Sequence, residues 1–333
     1  MISPARALAL VLLAACAGAV AQERAPAAQP ERPTLRERLA ARAARQEVPG
    51  RIERPGTYDF KLVHAGQNRL YRVHVPRSWS PSRPATAVFA FHGGGGSAAI
   101  MADNRFYGLI AHAEQAGYVA VFPNGSSRFR DGKLATWNAG NCCGRARDER
   151  VDDVGFVRAL VAELHRKLDI DADRLFAIGM SNGGMMSYRL ACEAADLFRG
   201  IAAVAGTDGM AGCTPARPIS VLHIHARDDE RVLFGGGAGK DSVAMADFRS
   251  VDDTIVRWVQ LNACGTSPRR VLDLPGQAFC EVYSGCRGGV EVKLCVTDSG
   301  GHSWPGGMTV RSRERGSTAI SANEVFWEFF GRR

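Results

Sequence analysis

From Thr57 onward the chain alternates two patterns: short, nearly continuous apolar runs, and longer stretches with apolar residues three and four positions apart. The runs Ala85 to Phe91, Tyr118 to Phe122, Arg174 to Ile178, Gly200 to Ala205 and Val221 to His225 predict strands buried on both faces. Between them, Ala98 to Gln115, Asp153 to Leu168, Asn182 to Cys192 and Val251 to Leu261 predict helices. Strands separated by helix-length segments require right-handed crossovers, so the expected class is α/β, a mostly parallel twisted sheet with helices on both faces. Tyr58 to Val63 and Leu70 to Val75 flank Gly66-Gln67-Asn68 and predict an N-terminal antiparallel hairpin. Ala278 to Ser284 and Val290 to Thr297 read as strands around a glycine-rich turn, which would set Cys280 opposite Cys295. Ala322 to Phe330 predicts a final aromatic helix suited to packing.

The first residues read as an address. Arg6 precedes the apolar run Ala7 to Ala15, and Ala19-Val20-Ala21 has the form of a signal-peptidase site, so residues 1–21 are expected to be a signal peptide. Leu13-Ala14-Ala15-Cys16 also has the form of a lipobox. Either reading exports the protein, freely to the periplasm or medium, or anchored to the envelope through a lipid on Cys16, the one membrane attachment expected. Residues 22–54, rich in Ala, Arg and Pro with few large apolar side chains, predict a linker, which leaves 55–333 as the catalytic domain. The formal net charge is +8, but half of it lies in residues 1–54. What remains has no Lys/Arg block interleaved with aromatics, so nucleic acid is not an expected partner. Of nine cysteines, eight lie beyond Cys16, an even set in an exported chain. With no Cys-x-x-Cys or His-x-x-x-His spacing, disulfides are expected and a metal is not.

The candidate chemistry centres on Gly179-Met180-Ser181-Asn182-Gly183, which follows an apolar strand and opens a helix. A strand-to-helix elbow of the form Gly-x-Ser-x-Gly lifts the Ser hydroxyl out of a tight turn, and the glycines allow strand and helix to approach. A serine nucleophile needs a base, and in this arrangement acid and His follow the Ser in chain order. Five of the eight histidines precede Ser181, and His223 and His225 lie in the strand before the carboxylates. His302, in a glycine-rich loop, is the remaining base. The acid is expected just past the Val221 to His225 strand, where Asp228, Asp229 and Glu230 are neighbours. Phe91-His92-Gly93-Gly94-Gly95-Gly96 follows a strand and predicts oxyanion donors at the N–H of Gly94 and of Asn182. It lacks the Lys-Ser/Thr of a phosphate loop, so no nucleotide cofactor is expected, nor any other.

Several ordered motifs together resemble the polyhydroxybutyrate depolymerase and feruloyl esterase family of exported α/β-hydrolases, across roughly Thr57 to Phe330. They are His92 to Ser97, Trp137-Asn138 with Asn141 to Gly144, Val151 to Phe156, Gly179 to Gly184, and Gly301 to Gly306. The resemblance implies the α/β-hydrolase fold and aligns His225-Ala226-Arg227-Asp228-Asp229 with the family's His-Gly-Thr-x-Asp, making Asp229 the acid. Ala226 and Arg227 depart from that pattern. The implied activity is serine carboxylic ester hydrolysis through an acyl-enzyme formed at Ser181. Its substrates would be feruloyl-type or short hydroxyalkanoate esters, free or attached to a polymer, with Trp137 and Trp304 as candidates for stacking on an acyl group. An acetyl esterase on plant polysaccharide and a non-catalytic surface lipoprotein are the alternatives. The short interval between Ser181 and Asp229 leaves no room for a large lid.

Overall fold

The computed structural model describes residues 50–242, 244, 246–310 and 315–331. The signal segment, Cys16 and the linker up to residue 49 lie outside the described residues. Ile52, within the stretch assigned to the linker, is already buried, and its N–H donates to the Lys167 carbonyl at 2.9 Å.

Ten strands form a single sheet: β1 (Gly56–His64), β2 (Gln67–Val75), β3 (Ala85–Phe91), β4 (Val119–Pro123), β5 (Ile170–Met180), β6 (Gly200–Val204), β7 (Ser220–Ala226), β8 (Arg269–Leu274), β9 (Ala278–Tyr283) and β10 (Val292–Thr297). Their spatial order is β1-β2-β4-β3-β5-β6-β7-β10-β9-β8. The six central strands, β4 to β10 in that order, pair in parallel, and antiparallel pairs close both edges. Parallel strands share one carboxyl edge, so the segments after β3, β5, β7 and β10 all emerge on the same side.

The helices are α1 (Ala98–Met101), α2 (Leu109–Ala116), α3 (Gly144–Asp148), α4 (Asp153–Lys167), α5 (Asn182–Glu193), α6 (Val251–Leu261) and α7 (Ala322–Gly331). Side-chain alternation sorts them into two layers. Phe89 and Phe91 point to one face with α4, α5 and α6, while Val88 and Ala90 point to the other with α1, α2 and α7. The expected doubly covered α/β sheet is therefore present, and the aromatic last helix packs as expected, with Phe330 stacked on Phe176 at 4.2 Å.

Three local expectations differ. The hairpin turn is Ala65-Gly66, both with positive φ, because His64 pairs with Gln67. This is the two-residue turn whose twist suits a hairpin. The single helix expected over Ala98 to Gln115 is two, because the Asp103 carboxylate accepts from the Arg105 N–H and Gly108 turns left-handed. Strand β8 had no sequence signal: it is an exposed edge with little apolar alternation, held by its pairing with β9.

Candidate active site

Strand β5 runs into an elbow at Ser181, whose φ of 56° and ψ of −123° lie where only a constrained L-residue sits. The glycines around it are required by contact. A Cβ on Gly183 would stand 2.1 Å from the Phe91 carbonyl oxygen, one on Gly179 2.1 Å from the Gly183 carbonyl oxygen, and one on Gly206 2.2 Å from that of Ser181. The backbones thus approach as closely as they do only because three side chains are absent. The Ser181 N–H donates to the Val204 carbonyl at 2.7 Å, fixing the elbow to β6.

Asp229 lies in the turn after β7 with its side chain fully buried, and His302 in the loop after the neighbouring strand β10. His302 Nδ1 is 2.8 Å from Asp229 Oδ2 and 3.1 Å from Oδ1. The N–H groups of Arg231 and Val232 donate to Oδ1 at 2.8 and 3.1 Å. Burial pushes the Asp229 carboxyl up, but hydrogen bonds from His225 and His302 outweigh it and hold the group well below the usual carboxylate range. Asp228 faces elsewhere. Its two oxygens accept from the N–H groups of Gly300 and Gly301 at 3.2 and 2.8 Å, tying down the loop that carries His302. The structure therefore separates two adjacent carboxylates that sequence alone could not, one on the imidazole and one on its loop.

Ser181, Asn182, Gly94 and His302 line one cavity of about 850 Å³. Asn182 is the first residue of α5, so its N–H has no partner within the helix. The glycine loop is braced from below by His92, a role the sequence did not reveal. Its Nδ1 donates to the Gly93 carbonyl at 2.8 Å and its Nε2 accepts from the Gly125 N–H at 3.0 Å. Full burial pushes this ring down to about 4, so it stays neutral and keeps one donor and one acceptor.

Trp137 corrects an expectation. It is completely buried and is not among the cavity residues. Its Nε1–H donates to the His92 carbonyl at 2.9 Å, and its backbone N–H and C=O both bond the Asn182 side chain, at 2.8 and 3.1 Å. It braces the elbow and cannot stack on a substrate. Trp304 does reach the cavity wall, but only 2% of it is exposed, and its Nε1–H is taken by Asn323 Oδ1 at 3.0 Å. Asp152 caps α4 by accepting from the Gly155 N–H, while Asp153 is buried against Arg69.

The eight cysteines pair as Cys142–Cys143, Cys192–Cys213, Cys264–Cys286 and Cys280–Cys295. Cys280 and Cys295 are direct cross-strand partners, as the strand reading anticipates. The adjacent pair Cys142–Cys143 lines the cavity. A second cavity of about 600 Å³, by Asp208 and Gly235, contains none of the candidate residues.

A mostly parallel, doubly covered sheet with a Gly-x-Ser-x-Gly elbow and an Asp-held His at its carboxyl edge defines the class of α/β-hydrolases. Comparison with known proteins narrows it. Residues 104–214 match the model of the prolyl oligopeptidase family. The chain is 33% identical over 322 residues to "Putative esterase NocK" of Nocardia uniformis subsp. tsuyamanensis, covering 90% of this chain and 88% of that one. It is 34% identical over 174 residues to Feruloyl esterase B of Piromyces equi, and 32% identical over 180 residues to Feruloyl esterase C of Emericella nidulans. These alignments take in 50% and 53% of this chain, but only 31% and 60% of the relatives' lengths. Among solved structures, acetyl xylan esterase from Aspergillus awamori superposes with a TM-score of 0.54 at 14% identity, covering 83% of this chain and 99% of that one, a likeness of fold alone. The chain belongs to the feruloyl esterase-like family of α/β-hydrolases.

Proposed function

We propose that this protein is an exported serine carboxylic ester hydrolase acting on feruloyl-type esters. The observation that carries the reading is the 2.8 Å contact between His302 Nδ1 and Asp229 Oδ2, beside a cavity that His302 shares with Ser181. Asp229, accepting at Nδ1, leaves the other ring nitrogen, Nε2, unprotonated and basic. Ser181 Oγ attacks the ester carbonyl as Nε2 takes its proton, and the carbonyl oxygen becomes an oxyanion held by the N–H groups of Gly94 and Asn182. Collapse of that intermediate expels the alcohol, which leaves with the proton from His302. Water, deprotonated by the same ring, then releases the acid and restores Ser181.

The substrate class draws on the relatives named feruloyl esterases. A cavity of about 850 Å³, walled in part by Ile100, Met185 and Phe248, suits a bulky aromatic acyl group. Export draws on the four disulfides, which persist in oxidising compartments. Among the described residues no helix is long and apolar enough to cross a membrane.

Ser181→Ala should lower turnover of a p-nitrophenyl ester by at least about 10³-fold without changing the melting temperature by more than a degree or two. Retained turnover would refute the nucleophile. With the parent enzyme, methyl ferulate should be cleaved with a higher kcat/KM than acetylated xylan or hydroxybutyrate oligomers, and the reverse order would replace the substrate class.

A further inference from the structure

Strand β7 is buried along its whole length, yet two of its residues are histidines. His223 and His225 sit two positions apart, so both rings point to the face that carries α5 and α6, and they stack with centroids 5.2 Å apart. Apolar side chains would fill this space without the cost of burying polar nitrogens. Instead the rings belong to a continuous file of hydrogen bonds. The Tyr188 hydroxyl is 2.9 Å from His223 Nδ1, His223 Nε2 is 3.1 Å from His225 Nδ1, and His225 Nε2 is 2.8 Å from the Val232 carbonyl and 3.3 Å from Asp229 Oδ2. Asp229 continues the file to His302.

The last partner fixes one proton. A carbonyl oxygen only accepts, so His225 Nε2 carries a hydrogen, directed at the Val232 carbonyl with Asp229 Oδ2 beside it. Burial pushes the His223 ring far down and keeps it neutral, so it offers one donor and one acceptor, one to His225 and one to the Tyr188 hydroxyl. The file therefore ends in a donor beside the Asp229 carboxylate. Hydrogen bonds in such a series strengthen one another. Tyr188 stands two turns along the helix that Ser181 caps, so the file links the nucleophile's helix to the carboxylate behind the imidazole.

We propose that Tyr188, His223 and His225 are positioning residues that orient the Asp229 carboxylate and moderate its basicity toward His302. This rests on the triad reading given above. Oδ2 is the oxygen shared by His302 and His225, and a carboxylate whose charge is partly drawn off by a second donor stabilises the imidazolium less. The charged and titratable groups facing Asp229 are His225 from β7 and His302 from its loop, with the Arg231 and Val232 N–H groups on Oδ1. At the far end Tyr188 faces Asp208, itself 3.3 Å from the Arg257 guanidinium.

The test compares His225→Leu, which removes the donor, with His225→Gln, which restores an N–H of similar reach, and Tyr188→Phe, which removes the far end. Each is assayed for kcat and KM on a p-nitrophenyl ester across the pH range of activity, beside Ser181→Ala. H225L should lose roughly tenfold or more in kcat with KM nearly unchanged. Its acid limb should move to higher pH, because His302 then holds its proton more tightly. H225Q should recover the limb and most of kcat, and Y188F should shift the limb in the same direction by less. An H225L variant with the parental kcat and pH profile overturns the proposal whatever its melting temperature, as does an H225Q variant no better than H225L. If H225L does not fold, Y188F decides, and an unmoved acid limb there overturns it. Turnover in S181A would instead overturn the triad reading itself.

Discussion

Ser181 adopts a backbone geometry that costs on the order of 1–3 kcal/mol, and the surrounding contacts enforce it. The two carboxylates after β7 divide the work that adjacent residues in one turn could share. Asp229→Ala should lower kcat by about 10³- to 10⁴-fold, since the imidazole loses its partner. Asp228→Ala should cost nearer tenfold, because it frees the Gly300 and Gly301 N–H groups and only loosens the loop. Steady-state kinetics on one soluble ester separates them, and equal losses would contradict the division. Asp229 also makes a pH prediction. Its folded value lies below the unfolded value near 3.9, so its contribution to stability is complete above about pH 4 and is lost as pH falls through the folded value. Asp229→Asn should therefore flatten the decline of melting temperature with acidification below about pH 4.

At the scale of elements, the long apolar runs were legible because strands buried on both faces need no alternation, and β3 to β7 are of that kind. What the pattern misjudged was decided by single polar contacts, as at Asp103, or by a neighbour, as for β8. The β9–β10 pairing was legible from two alternating runs and a turn, and it places Cys280 against Cys295. That bridge closes a span of 15 residues, for which the loss of unfolded-chain entropy corresponds to about 3 kcal/mol. Replacing both cysteines with Ala should lower unfolding free energy by about that amount in a non-reducing urea titration. A change below about 1 kcal/mol would mean that the strand pairing alone carries this edge.

Across the whole molecule, one buried ion pair joins the edge hairpin to the site. Arg69 on β2 meets Asp153 on α4 at 2.6 Å, with both side chains almost fully buried. Asp153 also accepts from the Asn138 N–H at 2.8 Å, next to the Trp137 that braces Asn182. The Arg69 guanidinium lies 4.0 Å from the Phe156 ring centroid. Burial pushes the Asp153 carboxyl up, so without its partner it would be an uncompensated charge. Arg69→Met should cost about 3–5 kcal/mol in denaturant unfolding, and adding Asp153→Leu should return part of that loss. If the single change costs less than about 1 kcal/mol, the pair does not hold the hairpin to the elbow support.

The sequence by itself determined the strand–helix alternation and the elbow with its glycines, and it singled out His302 as the candidate base, because chain order and local pattern carry that information. It placed the glycine-rich loop after β3 and the carboxylates after β7 for the same reason. It could not say which of Asp228 and Asp229 meets the imidazole, that Trp137 faces inward, or that His92 and His223 are held neutral by burial. Those outcomes depend on which side chains from distant segments converge in a low-dielectric space, and only the three-dimensional packing of the parallel sheet sets that convergence.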